Sequence, residues 1–168
     1  ALGNKSTHFI AEILATISSC DCNVVNLKSS NLSQSTAAFL LIEGNWNHIA
    51  KLETLLDNLQ KRLEIQINTI RPEANTKKNN CIPYSLETIS IDRHNVIEDI
   101  TNFLYEREIC IEEINASSYP APYIQTPIFS TKFILQIPPQ VRLLMLREEF
   151  LDFCDTLNID AIIEPIKR

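Results

Sequence analysis

Few residues in this chain could perform covalent chemistry, and none is placed to do so. The cysteines are scattered as Cys20, Cys22, Cys81, Cys110 and Cys154. A zinc knuckle needs cysteines separated by two or more intervening residues, with further Cys or His nearby. Cys20-Asp21-Cys22 has one intervening residue and no His pair beside it. An odd, dispersed set is no disulfide framework either, so this pair reads as small buried apolar residues where a helix hands over to a strand. His8 and His94 have no third ligand and no paired carboxylate at suitable spacing, and read as exposed loop residues. The only glycines are Gly3 and Gly44, so there is no glycine-rich loop to cradle a phosphate. The expectation is a chain without catalytic residues, metal or cofactor.

Composition narrows the classes further. A chain of 168 residues with 45% hydrophobic content can bury one ordinary core or two small ones. Fifteen basic against 21 acidic residues leave a net charge of −6. That balance disfavours the clustered Lys and Arg of a phosphate-binding surface. Lys77-Lys78 lies in a polar stretch and reads as solvated. No apolar run approaches the ~20 residues needed to cross a bilayer, and no leader pattern opens the chain, so the expected compartment is the cytoplasm.

The elements follow from periodicity. Residues 7–19 place Phe9, Ile10, Ile13, Leu14 and Ile17 at helical spacing, with Ser6 or Thr7 as N-cap. Residues 22–27 read as a strand, 29–34 as a polar turn, and the apolar run 37–42 as a central strand. After Gly44-Asn45, a helix from Trp46 aligns Ile49, Leu52, Leu55, Leu56 and Leu59, with Trp46 expected to pack. Residues 63–68 alternate as a half-buried strand. Residues 71–83, with two prolines and three asparagines, form a linker. Beyond it come a strand over 85–92, a helix over 95–107 and a strand over 109–114. A long proline-bearing loop, a strand over 129–137, a helix over 140–156 and a strand over 159–163 complete the chain.

The second half repeats the first at an offset of 87, taking Ile10 to Ile97, Ile13 to Ile100, Ile17 to Leu104, Val24 to Ile111 and Leu27 to Ile114. Agreement at five apolar positions without a gap argues duplication. Each half reads βαββαβ. The expected fold is α+β, two tandem ferredoxin-like modules with helices on one face of antiparallel sheets. The modules are expected over 1–71 and 84–168, joined by a linker over 72–83. Only Ala1-Leu2-Gly3 remain for the opening strand of the first module, so that strand is expected to be either truncated, with residues before Ala1 completing it, or short.

Two such units in tandem resemble a double ACT-domain protein. Ala1-Leu2-Gly3, Ser18-Ser19-Cys20-Asp21-Cys22-Asn23 and Gly44-Asn45-Trp46-Asn47 resemble the glycine cleavage system transcriptional repressor family. The resemblance covers nearly the whole chain and is strongest over 1–59. It implies a cytoplasmic repressor that binds a LysR-type activator protein rather than DNA, in response to a small amino acid such as glycine.

ACT modules often hold a small amino acid at the turn between first strand and first helix, and in that family the first-unit turn typically reads Asp-Arg-Pro-Gly. The second module keeps its opening as Asp92-Arg93-His94-Asn95. Asp92 would receive an ammonium group, while Arg93 and the free amides of the following helix would meet a carboxylate. The competing reading is a helix cap with a surface charge pair. The first module departs from the pattern, with Lys5, Ser6, Thr7 and His8 in those places. Asn4, Ser6 and Thr7 still offer hydrogen bonds.

Two other functions share this outline. One is an amino-acid-sensing module for a different partner. The other is a nucleic-acid binder, since RNA-recognition modules have the same strand order but need exposed aromatics and basic flanks. Here Phe39, Phe129 and Phe133 fall within apolar runs. A homo-oligomer is expected, because the apolar strand over 129–137 would otherwise risk edge pairing.

Overall fold

The computed structural model describes residues 1–72, 81–91, 95–121 and 126–166. The chain divides into two compact units, Ala1–Asn75 and Thr76–Arg168.

In the first unit β1 (Leu2–Asn4) leads through a 3-10 turn, Lys5–Thr7, into α1 (Phe9–Ser19). Then follow β2 (Asn23–Leu32), β3 (Ser35–Glu43) and α2 (Trp46–Leu63). Phe9, Ile13 and Ile17 lie four residues apart, so α1 buries one stripe. That stripe meets Leu52, Leu56 and Leu59 of α2 in one core with Cys20, Cys22 and Ile65. Burying each such Leu, Ile or Phe contributes about 1.5–3 kcal/mol. The α2 helix starts where the Asn45 side chain accepts the His48 amide at 2.9 Å. It stops at Glu64, held in the left-handed region.

The sheet is antiparallel in the order β1-β3-β2. Leu2 and Gln66 exchange two backbone hydrogen bonds of 2.8 Å at its other margin. The half-buried strand expected over 63–68 is thus reduced to one bridge at Gln66. Leu63 is still helical, and β1 offers a ladder of only three residues. The turn expected over 29–34 also contracts: β2 runs to Leu32 and turns on Ser33-Gln34. Polar residues suffice there because an edge strand in solvent needs neighbours on one side only.

The second unit comprises β4 (Ile82–Ile91), α3 (Val96–Tyr105), β5 (Cys110–Pro120), β6 (Pro127–Ile137), α4 (Leu143–Thr156) and β7 (Asp160–Pro165). Its sheet runs β5-β6-β4-β7, all antiparallel. Strict alternation turns Tyr84, Leu86, Thr88 and Ser90 inward. Phe133, Leu135, Ile100, Leu104 and Phe150 fill the core between sheet and helices. The long loop expected after residue 114 is largely strand, paired as far as Pro120 with Pro127. The strand over 129–137 is no edge, since β6 is hydrogen-bonded on both sides. Among the described residues the edge strands are β1, β2, β5 and β7, so the edge-pairing argument for self-association does not apply to β6.

Backbone irregularities repeat with the same offset of 87. A bulge at Val25, between Val24 and Asn26, recurs at Glu112, between Ile111 and Glu113. Left-handed residues precede the first helix of each unit at His8 and Asn95 and follow it at Asp21 and Glu108. Two tandem ferredoxin-like α+β units are therefore the architecture, with helices packed on one face of each sheet. No described helix is long and apolar enough to cross a membrane.

Candidate functional site

The strand-to-helix turns stand at matching places in the two units. In the first, Asn4 Oδ1 accepts from the Ser6 amide at 3.0 Å and from Ser6 Oγ at 2.9 Å. Thr7 Oγ1 donates to the Asn4 carbonyl at 2.7 Å. The three polar side chains expected to receive an effector are thus engaged with their own loop. His8 follows with φ 47°, a conformation costly for any residue with a Cβ, and makes no side-chain cap. Beneath the turn, a Cβ on Gly3 would come within 2.6 Å of Ile65 Cγ2 and 2.9 Å of the Phe9 ring. Packing against the core accounts for that glycine.

The second turn differs. Asp92, Arg93 and His94 lie outside the described residues. Asn95 is described: with φ 73° it opens α3, its side chain caps nothing, and its carbonyl accepts the Asp99 amide at 2.8 Å. A cavity of about 420 Å³ opens there, lined by Asn95, Val96, Glu98, Thr101, Asn102 and Phe129. The first amides of α3 have no partner within the helix and form the positive end of its dipole. Glu98 supplies a carboxylate to the lining.

Ser90 takes the place of Gly3 in this unit. It is only 6% exposed, and its hydroxyl has no hydrogen-bond partner among the described residues. A buried unpaired hydroxyl costs about 1–3 kcal/mol. Across the sheet Ser90 pairs with Phe129, which lines the cavity. Sequence reasoning passed over Ser90, Glu98, Thr101 and Asn102 as site residues. The available signal for Ser90 was parity, a polar residue on the inward face of an alternating strand.

The remaining candidates are structural. Cys20 and Cys22 are buried free thiols, with Cys22 Sγ 3.6 Å from the Cys20 carbonyl oxygen. Burial pushes the Cys22 thiol above its ordinary range, and neighbouring Cys20 and Asp21 add to the effect. A Cβ on Gly44 would lie 2.8 Å from Cys22 Sγ, so these two residues fit each other. Among the described residues, no three His, Cys, Asp or Glu side chains converge as a metal site. Two aromatic assignments need correction. Trp46 is 72% exposed rather than packed, because it is the first residue of α2. Phe133 is in the core, but Phe39 is 76% exposed, since the parity of β3 turns it away from the helices.

Residues 1–69 match the family model of the ACT domain. The glycine cleavage system transcriptional repressor of Escherichia coli (strain K12) is 21% identical over 166 residues, covering 99% of this chain and 87% of that protein. The same protein of Shigella flexneri matches to the same extent. Among solved structures, an unknown protein from Galdieria sulphuraria superposes with a TM-score of 0.78 at 16% identity, covering 99% of this chain and 95% of its own. A structure assigned provisionally to a glycine cleavage system transcriptional repressor superposes with a TM-score of 0.75 at 18% identity. It covers 99% of this chain and 94% of its own. The chain thus shares its tandem fold with these two structures and is similar end to end to the curated repressors.

Proposed function

We propose that this chain is a non-catalytic regulator that represses glycine-cleavage genes by binding a LysR-type activator protein, under control of a small amino acid such as glycine. Its modules are taken as 1–71 and 84–168, joined by 72–83, and a homo-oligomer is part of the proposal. The observation that carries the effector reading is the cavity at the start of α3, lined by Phe129, whose cross-strand neighbour Ser90 has a buried hydroxyl with no partner among the described residues. The carboxylate of the amino acid would meet the free amides of α3 and Arg93, and its ammonium group Asp92 and Glu98. An effector shifts a regulator only by binding its two states unequally, so glycine and partner must change each other's affinity by the same factor. The first turn, already hydrogen-bonded to itself, is left without an effector.

Two measurements test this reading. Affinity capture of the tagged protein from its own cells, with and without glycine, is expected to recover a transcription activator in glycine-dependent amount. Recovery of nucleic acid alone would overturn it. Calorimetry with glycine should show binding that Asp92→Ala weakens. Ser90→Ala should likewise weaken it while stabilising the fold by about 1 kcal/mol, because an unpaired hydroxyl is removed. Unchanged glycine affinity in both variants would exclude this turn as the effector site.

A further inference from the structure

A second groove, of about 600 Å³, runs between α3 and α4. Its floor is the stacked pair Phe103 and Phe153, ring centroids 4.9 Å apart and planes inclined by 29°. Its rim carries four carboxylates, Asp99, Glu106, Glu149 and Asp152, against one guanidinium, that of Arg107. Arg107 lies 3.6 Å over the Phe103 ring. It donates from Nε to Glu149 at 3.0 Å and from a terminal nitrogen to the Phe103 carbonyl at 3.0 Å. The protein thus already seats one guanidinium here, by stacking on a ring and binding a carboxylate. Arg107 also lies 3.8 Å from the Glu106 carboxylate. Among the described residues neither Asp99 nor Asp152 has a cationic partner, and Phe153, partly buried against the core, lines the groove.

The fold alone does not demand this arrangement. The offset of 87 sets Thr16 where Phe103 stands and Cys20 where Arg107 stands. Glu12, in the place of Asp99, is tied to Arg62 at 3.0 Å. The first unit therefore has neither the aromatic floor nor the unpaired carboxylate.

We propose that the groove between α3 and α4 docks a basic segment of a partner protein, an arginine lying on Phe153 between Asp99 and Asp152. A planar, weakly hydrated guanidinium suits this floor better than an ammonium group. The net charge of −6 steers such a segment towards the protein. The inference rests on the reading that the chain acts through a protein partner, and gives the chemistry of the surface that partner must present.

The test titrates acetylated, amidated hexa-arginine into the full chain at low salt, following backbone amide resonances, with hexalysine as comparison. Shifts are expected to concentrate on α3 and α4, with hexa-arginine binding more tightly. Asp99→Asn with Asp152→Asn should weaken binding about tenfold, roughly what two partly exposed ion pairs contribute together. The charge-matched pair Glu148→Gln with Asp155→Asn, outside the groove, should change it less than about twofold. Equal losses in both double variants would show only diffuse attraction to an acidic protein and overturn the proposal. So would shifts spread over both units, or no binding at millimolar peptide. Spermidine binding as tightly as hexa-arginine would assign the groove to a small polyamine. Self-association abolished by the Asp99 and Asp152 changes would assign it to a second copy. Either result refutes a partner segment. No glycine or gene readout enters this titration, so its failure is distinct from failure of the regulatory reading.

Discussion

Thr88 and Thr131 face each other across β4 and β6, both 1% exposed, with their hydroxyl oxygens 2.6 Å apart. Replacing one by valine keeps the shape but strands the opposite hydroxyl in the core. An unsatisfied buried hydroxyl costs about 1–3 kcal/mol, whereas replacing both members of a pair by apolar groups of the same shape can be nearly neutral. Thr88→Val and Thr131→Val should therefore each destabilise by about 1–2 kcal/mol, and the double variant by less than about 1 kcal/mol. The coupling energy is then about 1–3 kcal/mol. The first unit shows that the double apolar state is compatible with the fold. Its matching positions are Ala1 and Ala38, whose backbones make the same cross-strand contact, the Ala38 amide donating to the Ala1 carbonyl at 2.8 Å. Urea unfolding should be followed by a probe in the second unit, because two units need not melt together. Additive single effects, or single variants within ~0.3 kcal/mol of wild type, would refute the reasoning.

The other expectations are shorter. Gly44→Ala should destabilise by about 1–3 kcal/mol through the clash with Cys22 Sγ, and Cys22→Ala in that background should recover most of the loss in a thermal melt. In the folded protein a thiol reagent should label exposed Cys110 first and half-buried Cys81 more slowly. Cys20, Cys22 and Cys154 should react only on unfolding, since burial, reinforced by Asp155, pushes the Cys154 thiol up to about 12. The Glu87 carboxyl is held below its usual range, first by its hydrogen bond from Lys132 at 2.6 Å and then by that ammonium's charge. A depressed carboxylate contributes stability that is present above its unfolded pKa and lost as pH falls through its folded one. Glu87→Gln should flatten that acid limb, by no more than about 1 kcal/mol for so exposed a pair, with urea midpoints against pH as the measurement.

Much of the site lay beyond the reach of the sequence. Asp92 and Arg93 were singled out from their resemblance to a turn motif, and they fall outside the described residues. Asn95 was in the same candidate set, and it does line a cavity. Asn4, Ser6 and Thr7 were candidates for their hydrogen-bonding groups, but Asn4 turns those groups inward to the loop. Side-chain chemistry is legible in one dimension, whereas whether a donor is already satisfied depends on partners that folding brings close.

Helix α1 and its copy α3 were settled by the chain's own periodicity, because a stripe repeating every three to four residues can bury itself in only one regular way. The copying itself was equally plain at Ile13 with Ile100 and Ile17 with Leu104, all of them buried. Folding alone decided that Phe39 and Trp46 face solvent, that β6 is interior to its sheet, and that the buried Ser90 hydroxyl has no partner among the described residues. Local sequence sets which residues share a face. Which faces are covered, and which strands become edges, depends on contacts between residues far apart along the chain.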